Sequence, residues 1–352
     1  NSVENMSSMF HGCSKLKDVT MPEFNSNGFT DMSYMFADDE ILEYVDLGNL
    51  KTNKVTNMKG LFKGCINLES INLGGSFDTS QVTDMEEMFH QCSNLKSLDV
   101  SHFNTTNVVS FRNFASYCYM LESLDVSHFV TSKAKDMVNM FNRCKRLTSL
   151  NLENFDTAQV TNMAYMFKQC VSLINLEFNS AKFKTSNVTD MRGMFEDCKE
   201  LTSLDILSSF DTSNVVDMSD MFFGMNKLES IDVNNFDTSK VTVMFQMFGN
   251  LKLITSIDLS RFYTKSCLDF SEMFINCENI KYLDISSFHT ENAKYMDSIF
   301  SGCSNLQKID GLKYLDTSNV IDIRKMFKNC NNLREITFGN NFSLPDSSPK
   351  CY

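Results

Sequence analysis

Proline and glycine are scarce in this 352-residue chain, with three and thirteen copies respectively. That leaves little loop length for an active site. No phosphate-cradling glycine loop, nucleophile elbow or zinc-protease helix is present. No apolar run approaches the roughly 18 residues of a membrane span, and no signal peptide is visible. Positive charge is also short: 32 Lys and Arg face 44 Asp and Glu, a net charge of −12. A reader of nucleic-acid backbones needs a basic face. Nucleic acid and anionic membrane surfaces are therefore disfavoured, and basic partners or divalent cations fit better.

What the chain has in abundance is one phrase. Phe-Asp-Thr-Ser-x-Val-Thr-x-Met-x-x-Met-Phe-x-x-Cys-x-x-Leu-x-x-Leu-Asp runs from end to end, with clear copies starting at Phe77, Phe210 and Phe236. The Phe that closes Met-x-x-Met-Phe recurs at Phe10, Phe36, Phe62, Phe89, Phe114, Phe141, Phe167, Phe195, Phe222, Phe248, Phe274, Phe300 and Phe327, in steps of 25 to 28 residues. A fixed period in this range predicts a solenoid whose units contact only their neighbours. It argues for one elongated domain over residues 1–340, followed by a cap or tail at 341–352. The opening residues already lie inside a repeat, as expected of a piece cut from a longer protein.

Within one unit, Thr83 with Glu86 reads as a capping box. Met85, Met88, Phe89 and Cys92 follow at i, i+3, i+4 and i+7, which predicts a short helix with one apolar face. Ser93-Asn94 ends it. Leu98 and Val100 alternate with Asp99, which predicts a strand with its apolar side chains inward and Asp99 outward. Nine cysteines fall three residues after the repeat Phe: Cys13, Cys65, Cys92, Cys144, Cys170, Cys198, Cys277, Cys303 and Cys330. Cys118 reads as the same site shifted by one. Because Met225 and Leu251 fill that site elsewhere, the cysteines read as buried free thiols. A disulfide ladder conflicts with packed helices about 8–10 Å apart. Cys267 and Cys351 lie off the ladder and are the candidates for exposed or paired thiols.

The run Leu95-Lys-Ser-Leu-Asp-Val resembles the strand core of leucine-rich repeats. With Phe236-Asp-Thr-Ser-Lys-Val-Thr, Asp217-Met-Ser-Asp-Met-Phe and Met88-Phe-x-x-Cys92, the phrase is similar to the BspA-like repeats of bacterial surface proteins, mycoplasma lipoproteins and some protist surface proteins. The resemblance covers Val3 to about Phe338. It implies a non-enzymatic protein, at the cell surface or secreted, serving adhesion. It supplies no catalytic residue or cofactor. The expected fold is an α/β solenoid, a leucine-rich-repeat-like right-handed superhelix of about thirteen rungs. Its parallel β-sheet lines the concave face and short helices line the convex face.

Such a stack displays columns of repeated positions. The outward strand position carries Asp99, Asp125, Glu177, Asp205, Asp232, Asp258, Asp284 and Asp310. A serine column, including Ser97, Ser123 and Ser149, stands two residues earlier. This acidic ridge is the expected partner site, open to a protein or glycan ligand, basic or from a cell surface. Weak divalent-cation binding fits its oxygens, but the loop of a calcium hand is missing and no dedicated metal site is expected. A threonine column, including Thr79, Thr105, Thr131, Thr238 and Thr264, reads as a structural hydroxyl ladder. His102 and His128 share one slot in neighbouring units and read as solvated corner residues. The alternative to a binding module is a structural spacer or intracellular scaffold that positions another domain.

Overall fold

A computed structural model describes residues 3–22 and 28–344. They belong to two compact units, Asn1–Phe183 and Lys184–Tyr352. Each unit is a solenoid of stacked turns whose backbones bond to the turns before and after. In the first unit, β1 (Asp18–Thr20), β2 (Tyr44–Asp46) and β3 (Ser70–Asn72) form one parallel ladder, and β4 (Ser149–Leu152) pairs with β5 (Asn175–Phe178). In the second unit β6 (Tyr282–Asp284) pairs with β7 (Lys308–Asp310). The register advances by one repeat: Tyr44 faces Ser70, Leu150 faces Leu176 and Leu283 faces Ile309. Extended segments continue the pattern outside the named strands, as where Ser97 bridges Ser123.

The expected helices are absent among the described residues. Each Met-x-x-Met-Phe segment is instead a run of tight turns stacked on its neighbours. Within one segment the N–H of Leu61 bonds to the Met58 carbonyl, Lys63 to Gly60 and Cys65 to Phe62. The alternate donors reach across to the next turn: Met58 to Asp84, Gly60 to Glu86, Phe62 to Met88 and Gly64 to His90. Two residues per segment take positive φ to make this possible, for example Glu87 (57°) with Gln91 (63°), and Gln246 (51°) with Asn250 (56°). The physical reason is spacing. Stacked rings Phe10–Phe36, Phe36–Phe62 and Phe62–Phe89 have centroids 5.2, 5.5 and 5.6 Å apart, whereas an α-helix with side chains is about 10 Å wide. A helix also spends its N–H groups internally and has none for the neighbouring turn.

The inward pattern survives the change of backbone. Met85, Met88, Phe89 and Cys92 are buried, as are Leu98 and Val100. The apparent capping box dissolves into two other bonds. The Thr83 hydroxyl donates to the Thr56 carbonyl of the preceding turn, and the Asp84 carboxylate accepts the Glu86 N–H two residues on.

Phe114 is not the repeat Phe of its turn. Phe89 N–H bonds to the Phe114 carbonyl, just as Phe62 N–H bonds to that of Met88. Ala115 therefore stands in the phenylalanine column and Phe114 in the methionine column. The steps from Phe89 to Ala115, Phe141 and Phe167 are then 26 residues each, and Cys118 falls in its column without any shift. Phe114 turns edge-on to Phe89, at 88°, where the other stacked rings are near-parallel. Phe111 and Phe129 pack edge-on against Phe114.

The cysteine column is a set of buried free thiols from Cys65 to Cys303, but not for the reason of helix spacing. Each Sγ points along the stack to a carbonyl of the preceding turn: Cys65 to Phe36 at 3.0 Å, Cys92 to Phe62 at 3.1 Å and Cys144 to Ala115 at 3.1 Å. Cys277 and Cys303 do the same in the second unit. Burial raises these thiols, to about 12 for Cys118 and Cys170. Cys13 is exposed and Cys330 is half-buried. Cys267 is a buried free thiol, neither exposed nor paired. It occupies the column of Val215 and Val241, so it is a core side chain. Cys351 lies outside the described residues, as does the tail from 345 onward. Asn341 and Ser343 still bond to Thr317 of the turn before.

The threonine column is the polar spine. Thr79, Thr105, Thr131, Thr238 and Thr264 are buried. Each hydroxyl donates to a carbonyl 25 residues further on, for example Thr105 to Val130 and Thr264 to His289, both at 2.9 Å. It also accepts that same residue's N–H in several turns, including Val130 and His289. One hydroxyl thus satisfies both the N–H and the C=O of a corner residue that the strand ladder does not reach.

Candidate functional site

In each unit the strand segments expose one face on which polar columns stand side by side. Alternation puts Leu98, Leu124 and Leu150 beneath it and leaves Asp99, Asp125, Ser97, Ser123 and Ser149 exposed. In the first unit these residues, with Asn151, line a shallow cleft of about 420 Å³. In the second unit Asp232 and Asp258, with Ser208, Asn234, Asn235, Ser260 and Arg261, line another of about 420 Å³. Asp284 and Asp310 border a third of about 300 Å³ together with Lys308, Lys313 and Tyr314.

The acidic column is offset by its own backbone rather than by the serines two residues earlier. One carboxylate oxygen of Asp99 accepts the Ser101 N–H at 2.9 Å, and Asp125 accepts that of Ser127. Asp232, Asp258 and Asp284 accept those of Asn234, Ser260 and Ser286. Such bonds favour the charged form. Hydrogen bonds from Ser101 and Ser127 hold Asp99 and Asp125 below the usual carboxylate range, and the Ser260 N–H and hydroxyl do so for Asp258. Asp310 is lowered by the Tyr282 hydroxyl, which donates to it from the preceding turn at 2.6 Å, and by Lys308. Asp99, Asp125, Asp258 and Asp310 are therefore ionised at neutral pH, and each of the Asp99, Asp125 and Asp258 carboxylates keeps one oxygen outside its turn bond.

Glu177 takes its expected place, exposed on β5 in register with Asn151, but one expected member sits differently. Asp205 opens a 3-10 turn, Asp205–Ser209, and has left the extended segment. Leu204 and Phe210 are six residues apart where Leu98 and Phe103 are five. The one extra residue lengthens the corner, and the Ser208 hydroxyl donates back to the Asp205 carbonyl.

A second acidic column went unread in the sequence. Asp31, Asn57, Asp84, Ser110, Asp136 and Asn162 bridge one another in the first unit, and Asp190, Asp217, Val243 and Asp269 do so in the second. Most use a side-chain oxygen to accept the N–H two residues on, as Asp31 does from Ser33 and Asp217 from Ser219. The Asp of each Asp-Met-x-x-Met phrase was the available signal. It was absorbed into the helix-cap reading.

His102 and His128 do not converge on a metal. His128 Nε2 lies 2.9 Å from the Val100 carbonyl, and each ring stands edge-on to the phenylalanine that follows it. They are half-buried corner residues rather than fully solvated ones. Among the described residues no group of three His, Cys, Asp or Glu is placed to hold a metal ion, and no helix is long and apolar enough to cross a membrane.

Several solved structures are similar to this chain. A leucine-rich-repeat protein from Bacteroides ovatus shares 17% identity over 94% of this chain and 81% of its own, with a TM-score of 0.47. The Treponema pallidum leucine-rich-repeat protein shares 20% over 55% of this chain and 81% of its own, with a TM-score of 0.38. A leucine-rich cell surface protein from Faecalibacterium prausnitzii shares 15% over 88% and 76%, with a TM-score of 0.32. Comparison with curated protein sequences finds no match. One family model matches in four overlapping stretches, residues 1–74, 65–176, 174–282 and 248–343. The chain belongs to the family described as "Mycoplasma protein of unknown function, DUF285".

Proposed function

We propose that the strand face is a non-enzymatic binding surface for a protein or glycan partner at the cell surface or outside the cell, in the manner of the BspA-like repeats that the sequence resembles. The observation that carries this reading is the cleft of the first unit. Its hydroxyl and carboxylate columns are solvent-facing, the Asp99 and Asp125 carboxylates are ionised, and parallel pairing from turn to turn sets their spacing. A surface held by backbone bonds in every turn loses little conformational entropy on binding. Basic partner side chains suit it best, because Asp99 and Asp125 are exposed and each commits only one oxygen to the turn bond.

The test is charge reversal at Asp99 and Asp125 together, read by solid-phase adhesion to extracellular-matrix proteins and by pull-down. Loss of a salt-sensitive interaction, with unchanged thermal unfolding, is the expected result. An interaction that persists unchanged in the double variant removes the strand face as the site. Charge reversal at Asp205, which sits in a 3-10 turn of the second unit, serves as the control away from the cleft.

A further inference from the structure

The turn-ladder face of the first unit carries a cluster of the opposite character, and we propose that it binds an acidic polysaccharide, its sulfate or carboxylate groups held by Arg143 and Lys145 beside Tyr117 and Tyr119. This goes beyond the strand-face reading: none of these residues lines the acidic cleft.

Three successive turns build the cluster. His90 stands edge-on to Tyr117 with ring centroids 5.4 Å apart, and Tyr117 meets Tyr119 at 5.9 Å. From the following turn the Arg143 guanidinium lies 4.9 Å from the centre of the Tyr117 ring, and the Lys145 ammonium 4.7 Å from that of Tyr119. Ring faces attract cations and so fix both heads without neutralising them. Neither Arg143 nor Lys145 has a carboxylate within ion-pair distance among the described residues, whereas neighbouring Arg146 pairs with Glu122 at 3.1 Å. The buried Nε of Arg143 has no hydrogen-bond partner. Two uncompensated cations on a chain of net charge −12 are a local field seeking an anion.

The backbone settles which anion carrier fits. Tyr117 and Arg143 both occupy positive-φ positions, at 62° each. Their N–H groups already bond to the Asn142 and Lys168 carbonyls of the next turn. With those donors spent, Tyr117 and Arg143 do not offer their N–H groups to an extended peptide, a mode that depends on main-chain bonds. Nucleic acid calls for a longer basic stripe than two residues on an acidic chain. Side-chain donors fixed beside aromatic rings remain, and these suit the oxyanions and pyranose rings of a charged glycan.

The experiment titrates the whole chain with heparin, with polygalacturonate, with neutral dextran, with poly-glutamate and with single-stranded RNA at low and physiological salt, by isothermal calorimetry. Heparin or polygalacturonate is expected to bind, dextran not at all, and affinity to fall with salt. Arg143→Gln with Lys145→Gln should weaken binding about tenfold, with the melting temperature unchanged. Tyr119→Leu should weaken it less, and Arg143→Lys should retain most of it. Lys227→Gln with Lys252→Gln, which removes two cations already paired with Glu200 and Glu278, should leave it intact. The proposal falls if neither charged glycan binds, if binding survives the Arg143 and Lys145 double change, if the Lys227 and Lys252 variant loses as much, or if poly-glutamate or RNA binds more tightly than both glycans.

Discussion

Replacing Thr264 by valine tests the polar spine most directly. The two side chains have nearly the same shape, so the change removes a hydroxyl without opening a cavity. That hydroxyl donates to the His289 carbonyl and accepts the His289 N–H, both at 2.9 Å, and Thr264 is fully buried. Valine strands two backbone groups at about 1–3 kcal/mol each and returns about 0.8 kcal/mol for the added buried methyl. The net loss is about 1–5 kcal/mol, a sizeable part of the ~5–15 kcal/mol that holds an ordinary domain together. Serine at the same place keeps both bonds and loses one methyl, about 1 kcal/mol. Urea unfolding of the parent, Thr264→Ser and Thr264→Val proteins should therefore rank them in that order. Amide exchange should localise the valine defect at His289, because units of a solenoid respond through their nearest neighbours. A valine variant as stable as the serine one, or an unchanged His289 amide, would refute the argument that the hydroxyl stands in for a missing ladder bond.

Other outcomes follow from the same geometry. Asp39 sits in the thiol column, buried, with one oxygen unpartnered, and burial pushes its carboxyl up to about 6. The folded state thus holds this proton more tightly than the unfolded one. Its contribution is intact below about pH 4 and is lost as pH rises through 6, so Asp39→Cys should raise the melting temperature at pH 7.5, with the gain shrinking toward pH 4.5. Ala115→Phe forces a ring into space already filled by Phe111, Phe114 and Phe129 and should cost about 1–3 kcal/mol in urea unfolding, whereas Phe89→Ala should cost about 3–5 kcal/mol. A thiol reagent should modify Cys13 in the native protein at once, while Cys65, Cys92, Cys118, Cys144 and Cys170 react only on unfolding.

The period, the inward residues and the parallel register were legible because they depend only on which positions recur. Leu98, Val100 and Asp99 took the faces that alternation assigns. The backbone of Met-x-x-Met-Phe was not legible. Spacings of i, i+3, i+4 and i+7 describe an apolar helix face and a chain of three-residue turns equally well, and only the stacking distance separates them. The clue lay in what fills the positive-φ sites. Gly60, Gly64, Asn250 and Asn276 tolerate that conformation, and a helix gains nothing from them. Phe114 misled because Phe-x-x-Phe-Ala looks like Met-x-x-Met-Phe slipped by one; the 26-residue step to Ala115 was the better guide. The acidic ridge was legible in place but not in chemistry, since nothing in the order Asp-x-Ser announces that the carboxylate is tied to the amide two residues on. Asp205 left its column because a longer corner changes backbone shape without disturbing the pattern of inward leucines.

Because each column repeats the same bonds from one turn to the next, excising a whole repeat inside a unit would leave each remaining threonine, thiol and phenylalanine facing an equivalent neighbour. Unequal exchange between copies of the gene can therefore lengthen or shorten the array while preserving its folding rules, whereas a turn such as that of Ala115, whose Phe114 lies edge-on to Phe89, would meet a less well matched ring in a new place.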